Sequence, residues 1–148
     1  MKEFVTNNQT ETITLANKIL EKLPSDINTI ILIGDLSAGK TTFTKGVGDF
    51  FGVKKIINSP TFTILKTYEG TKNLHHFDLY RLDQDSETLE YEELIFDQDS
   101  FSVIEWPFNA PIMLPKKYLQ VKLLITDENR RKIIVEAINF ADDWLALI

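Results

Sequence analysis

Apolar residues along this chain switch between a 3.6-residue spacing and short unbroken runs, which divides the sequence into alternating helices and strands. After an extended start over residues 3–6, Leu15, Ala16, Ile19, Leu20 and Leu23 recur at helical spacing, and Pro24 ends that helix. The run TIILI, Thr29–Ile33, is the β-branched stretch of a strand buried on both faces, as inside a parallel sheet. Residues 41–51 predict a helix with Phe43, Val47 and Phe50 inward and Gly52 as its αL cap. Further strands are predicted at 56–57, 63–68, 74–78 and 101–106, the last closed by Pro107. Ser86 is placed to cap a helix running to about Phe96. Residues 118–126 and 132–138 predict a hairpin around the turn 127–130, followed by a short C-terminal helix ending in Trp144. The pattern describes a mixed α/β sheet, and the lack of repeats or linkers predicts one domain over residues 1–148.

Between the first buried strand and the second helix stands GDLSAGKT, residues 34–41, a full match to G-x-x-x-x-G-K-[ST]. At average usage such a match arises by accident in roughly one chain in two hundred of this length. A strand before and a helix after are what the chemistry needs. Glycines let backbone N–H groups turn inward around phosphates, and the helix N-terminus adds positive potential. Leu36, Ser37, Ala38 and Gly39 form the cradle, Lys40 is placed to reach the β- and γ-phosphates, the Thr41 hydroxyl to ligate Mg²⁺, and Thr42 to donate to the α-phosphate of ATP.

Hydrolysis needs in addition an acid on the metal and a group that orients water. Glu105 ends the apolar strand FSVIEW, where a metal-binding acid belongs, although an ordinary surface glutamate would read the same. Asp78 ends the strand HHFD and is a candidate to orient water or act as base; a turn cap or a salt bridge to Arg81 is the plainer alternative. Ser59 and Thr61, around Pro60, lie between two strands where hydroxyls could sense a γ-phosphate. His76 reads as a hydrogen-bonded structural residue, because phosphoryl transfer does not demand imidazole. Trp106 reads either as core or as an exposed anchor for a partner.

Charge and composition narrow the class. The net charge of −6 argues against a broad nucleic-acid grip, DNA included. Residues 78–99 hold nine acids against Arg81, so this stretch carries −8 and the remainder +2. It reads as a solvated helix face or as a docking surface for a basic partner. Between Leu36 and Thr67, by contrast, five lysines (40, 45, 54, 55 and 66) stand against one acid, Asp49, which makes the environment of the phosphates locally positive. Without cysteine there is no disulfide framework or thiolate metal site, and His75 and His76 are too few for a zinc cage. The first residues lack a signal-peptide stretch, and no apolar run approaches the ~18 residues of a membrane helix, so the expectation is a cytoplasmic protein with no membrane association.

Four segments together, GDLSAGKTTFTKG, SPTF at 59–62, HFDLYRL at 76–82 and IEWP at 104–107, carry a resemblance to the bacterial TsaE (YjeE) family. Its members are small ATPases required for threonylcarbamoyladenosine (t6A) formation in tRNA. The resemblance implies a three-layer P-loop NTPase fold, with central parallel strands extended by antiparallel ones. It implies ATP and Mg²⁺ on Lys40, Thr41 and Glu105, Asp78 as an acid important for hydrolysis, and Gln9 and Thr10 near the adenine. It also implies a partner, the TsaB–TsaD heterodimer, which modifies the adenosine beside the anticodon, so that tRNA is met through that complex. One position departs from the family: Ser37 stands where glycine is usual, and a positive φ there would strain the loop by ~1 kcal/mol or more. Two other functions remain open to this sequence, a small-molecule kinase and a nucleotide-dependent binding module without significant hydrolysis. Against the kinase stands the lack of an arginine-rich lid, since the arginines are Arg81, Arg130 and Arg131 alone.

Overall fold

The computed structural model describes residues 1–60, 62–110 and 112–148. Strand β1, Lys2–Thr6, leads into helix α1, Gln9–Lys22, whose first turn is closed by Asn8 Oδ1 accepting from the Glu11 amide at 2.8 Å. Strand β2 is Thr29–Ile33 and helix α2 is Lys40–Phe50. Strands β3, Leu65–Tyr68, and β4, Asn73–Asp78, form a hairpin, and helix α3, Leu89–Ile95, precedes β5, Ser100–Glu105. Strands β6, Tyr118–Ile125, and β7, Arg131–Ile138, form a second hairpin. Short 3₁₀ turns occupy Pro107–Asn109 and Asp143–Leu147.

The seven strands make one sheet in the order β1-β7-β6-β2-β5-β4-β3. Its centre, β6-β2-β5-β4, is parallel, while β7 pairs antiparallel with β6 and β1, and β3 antiparallel with β4. Side chains alternate across the sheet. Ile30 and Leu32 of β2, Phe101 and Val103 of β5, and Leu119 and Val121 of β6 meet α1 and α2 on one face. Ile31, Phe77 and Ile104 meet Ile95 of α3 on the other. The result is the mixed α/β sheet that the pattern predicts, in the three-layer arrangement that the resemblance implies. Close contact of α1 with α2 is made at Gly46, where an added Cβ would lie 2.6 Å from Ala16 Cβ and 2.7 Å from the Ile13 carbonyl.

Several local expectations are corrected. Phe50 is exposed and Phe51 is buried, because the inward row of α2 steps by four from Phe43 through Val47 to Phe51. Gly52 takes φ 71°, the αL cap expected. Residues 56–57 form no strand: Ile57 is buried against the α2 end while Ile56 is exposed. The strand predicted over 63–68 starts only at Leu65, since Ile64 sits at φ 66°. Ser86 caps no helix; it closes a turn with Asp83, donating to Oδ1 at 3.2 Å, and α3 starts after Thr88. Trp144 lies inside the C-terminal 3₁₀ turn, buried with Leu145, and Lys2 Nζ caps that turn through the Leu145 and Ile148 carbonyls. The acids of α3 mostly face solvent, though Glu92 accepts from the Met113 amide at 2.7 Å.

Candidate functional site

The glycine-rich loop leaves the carboxyl end of β2 and turns into α2 with Gly39 as the N-cap at φ 108°, a conformation open to glycine and strained for any other residue. Ser37 takes φ 67°, so the strain the sequence suggested at this position is present. The Ala38 amide donates to the Asp35 carbonyl at 3.1 Å and closes the turn. Lys40, only 7% exposed, donates from Nζ to the Gly34 carbonyl at 2.7 Å. The same ammonium lies 3.7 Å from Glu105 Oε1 and 4.0 Å from the centroid of the Trp106 ring. Burial pulls the Lys40 pKa below its ordinary value, and the carboxylates of Glu105 and Asp78 act against that shift.

Strand alternation brings the acids to the lysine. In β4, Leu74, His76 and Asp78 share one face; in β5, Phe101, Val103 and Glu105 do, and the register sets Asp78 directly beside Glu105. At 3% exposure Glu105 is no surface glutamate. Its Oε2 meets His76 Nε2 at 2.5 Å, while His76 Nδ1 is buried without a hydrogen-bond partner. An orphaned ring acceptor costs less than an orphaned N–H, so the proton belongs on Nε2 and is donated to the carboxylate. His76 is therefore the hydrogen-bonded residue expected, with Glu105 as the group it holds. Asp78 Oδ1 accepts from the Tyr80 amide at 3.1 Å, which is the cap alternative, whereas Arg81 packs over the Phe62 ring at 5.0 Å and forms no bridge to it. Burial raises the Asp78 pKa above its ordinary value, and Glu105 adds to that rise while the Tyr80 amide and Lys40 oppose it.

These groups open into a cavity of about 1060 Å³. Of the residues singled out from the sequence, Leu36, Ser37, Gly39, Lys40, Thr41, Thr42, Asp78 and Glu105 line it, as do Gln9 and Thr10 at the start of α1 and Ser59 between the strands. Ala38 is not among the lining residues: it is 1% exposed with its side chain in the core, which leaves its main chain as the part a phosphate cradle would use. Thr61 lies outside the described residues. Trp106 is neither core nor an outward anchor; it is half-buried, at φ 56°, with its ring edge-on to Tyr80 at 5.2 Å. Residues that sequence reasoning passed over are Asn8, Thr12, Tyr80 and three from the β6–β7 hairpin, Glu128, Asn129 and Arg131. The one available signal for the last group was the adjacent Arg130 and Arg131 at a hairpin turn in a chain with three arginines.

Among the described residues, no three His, Cys, Asp or Glu side chains gather as an all-protein metal cage. The donors at hand, the Thr41 hydroxyl and the Glu105 and Asp78 carboxylates, are hard oxygens. They fit Mg²⁺, which takes one or two carboxylates and fills its shell with water and phosphate oxygens.

The model of the family described as "Threonylcarbamoyl adenosine biosynthesis protein TsaE" matches residues 6–133. The chain belongs to the TsaE family. It is 40% identical over 116 residues to the "tRNA threonylcarbamoyladenosine biosynthesis protein TsaE" of Bacillus subtilis, covering 78% of this chain and 72% of that one. It is 34% identical over 144 residues to the protein of the same name from Rickettsia prowazekii, covering 94% and 97%. The crystal structure of Bacillus subtilis YdiB superposes with a TM-score of 0.74 at 31% identity, over 93% of this chain and 86% of that one. The TsaE chain thus has the P-loop NTPase-like fold, with parallel and antiparallel strands in one sheet. Among the described residues, no helix is long and apolar enough to cross a membrane.

Proposed function

We propose that this TsaE chain is a Mg²⁺-dependent ATPase that serves the formation of threonylcarbamoyladenosine in tRNA beside the anticodon, acting on the TsaB–TsaD heterodimer in the cytoplasm. One observation carries the ATPase part: a buried lysine behind a glycine-rich loop shares one sheet face with two register-paired carboxylates, Asp78 and Glu105. The threonylcarbamoyladenosine role for which its relatives are named supports the pathway.

In this reading Lys40 exchanges the Gly34 carbonyl for the β- and γ-phosphate oxygens of ATP, a stronger, charge-assisted partner. The Thr41 hydroxyl and the Glu105 carboxylate would hold Mg²⁺, and His76 keeps Glu105 Oε2 occupied while Oε1 lies toward Lys40. Mg²⁺, when bound, neutralises charge on the phosphate oxygens. Asp78 accepts a proton from the water that attacks the γ-phosphorus; the bond to the ADP oxygen breaks, giving ADP and phosphate. A carboxyl whose pKa burial has raised is better suited to that transfer than an exposed one.

Lys40→Ala is expected to abolish ATP binding, measured by calorimetry, and unchanged affinity would remove the site assignment. In reconstituted threonylcarbamoyl transfer under multiple-turnover conditions, Asp78→Ala should retain ATP binding and lose about 10²-fold or more in turnover. Turnover at the wild-type rate with that variant would separate hydrolysis from the modification cycle.

A further inference from the structure

Arg131 reaches the glycine-rich loop from the first residue of β7, 94 positions along the chain from Ser37. Its Nε donates to the Ala38 carbonyl at 3.0 Å and its Nη2 to the Ser37 carbonyl at 3.2 Å. Its Nη1 donates to the carbonyls of Asp127, Glu128 and Arg130 at 3.1, 3.2 and 3.0 Å. Every one of these bonds goes to main-chain oxygen, and together they engage each guanidinium nitrogen. The guanidinium is thus anchored at all three nitrogens by main-chain oxygen while it lines the cavity.

The carbonyl and the following N–H of a trans peptide point in opposite directions. Holding the Ala38 carbonyl on Arg131 therefore turns the Gly39 N–H the other way, and Gly39 lines the cavity. The neighbouring carbonyl belongs to Ser37, the non-glycine residue at φ 67°. The other arm of the guanidinium fixes the turn that presents Glu128 and Asn129 to the same cavity. Arg130 ties that turn to the start of α1, donating from Nε to Asn7 Oδ1 at 3.1 Å beside Gln9 and Thr10.

We infer that Arg131 is a positioning residue of the nucleotide site: its guanidinium holds the Ser37 and Ala38 carbonyls, and with them the strained loop and the Gly39 N–H, and pins the β6–β7 turn against it. The inference rests on the nucleotide reading proposed above and adds a role for a residue outside the glycine-rich loop and the two strand-end acids.

The test is a double-mutant cycle read as Kd for Mg·ATP and for ADP by calorimetry. Arg131→Ala should weaken both nucleotides about tenfold or more, the scale of losing charge-assisted hydrogen bonds. Arg131→Lys keeps the charge but cannot span two carbonyls and the turn, so it should also weaken binding, by about threefold or more; it carries the cycle if the alanine variant does not fold. Ser37→Gly removes the strain that the clamp opposes, so the same Arg131 substitution should weaken binding markedly less in that background. An equal penalty in both backgrounds means a general structural role and overturns the inference. Wild-type affinity in Arg131→Lys means that charge alone matters, and overturns it equally. Wild-type protein that binds neither nucleotide overturns the nucleotide reading and this inference with it, an outcome distinct from the other two.

Discussion

Trp106 shows how much a single residue at this site depends on its neighbours. It is a bulky residue in the left-handed region at φ 56°, immediately after Glu105, and that conformation is costly for any side chain but glycine. The strained turn lays the indole over Lys40 Nζ at 4.0 Å, where a cation–π contact of about 0.5–2 kcal/mol offsets part of the cost. A lysine that moves to phosphate leaves this ring, so Mg·ATP should change the emission of Trp106. The chain's second tryptophan, Trp144, is buried against Phe140 in the C-terminal turn and reports on the fold alone. Fluorescence titration should therefore show a nucleotide response that Trp106→Phe loses and Trp144→Phe keeps. A response that survives in Trp106→Phe would come from Trp144 and would overturn the assignment of the signal to the Lys40–Trp106 contact.

At the scale of elements, packing decides where pattern alone was ambiguous. The contact of α1 with α2 runs through Gly46, and a Cβ there would collide with Ala16 and with the Ile13 backbone. Gly46→Ala gains helix propensity worth about 1 kcal/mol, yet overpacking two backbones costs about 1–3 kcal/mol, so the clash should win. Thermal unfolding should show a lower midpoint, and an equal or higher one would mean that the helices separate freely. The same physics explains what the sequence made legible. The continuous β-branched run TIILI and the apolar run that ends in Glu105 both form strands where the pattern put them, and burial within the sheet then decides against a surface glutamate. Phe50 and Phe51 are adjacent and equally apolar, so only the i, i+4 row from Phe43 selects Phe51. Ser86 had the side chain of a cap, but Asp83 captured its hydroxyl locally. The parity that sets Asp78 beside Glu105 follows from strand register, which depends on pairing partners far apart in sequence. Arg131 was illegible for the same reason, since its partners lie across the sheet order at Ser37 and Ala38.

For the molecule as a whole, the site is a region where stability is given up for placement of charge. Asp78 is 7% exposed and lies in register with a second buried acid, so its ionised form is disfavoured by burial and by Glu105. Its pKa is raised above the ordinary 3.8, so between that value and the folded one the native state binds more protons than the unfolded state. Stability contributed by Asp78 is therefore greatest below about pH 3.8 and declines as pH rises through the folded pKa. Above the folded pKa that contribution is gone and the cost of the buried charge stands. Asp78→Asn keeps an oxygen for the Tyr80 amide and removes the charge, so it should raise the unfolding midpoint at pH 7–8, by about 2–4 °C per kcal/mol relieved. The gain should shrink as pH falls toward 4, where the wild-type carboxyl takes up its proton. Calorimetric unfolding of both proteins across that range measures it, and the same variant should be inactive in ATP hydrolysis. A midpoint that falls at neutral pH would mean that the attraction of Lys40 for Asp78 outweighs its desolvation, and that the carboxylate is held as a stabilising ion rather than as a strained base.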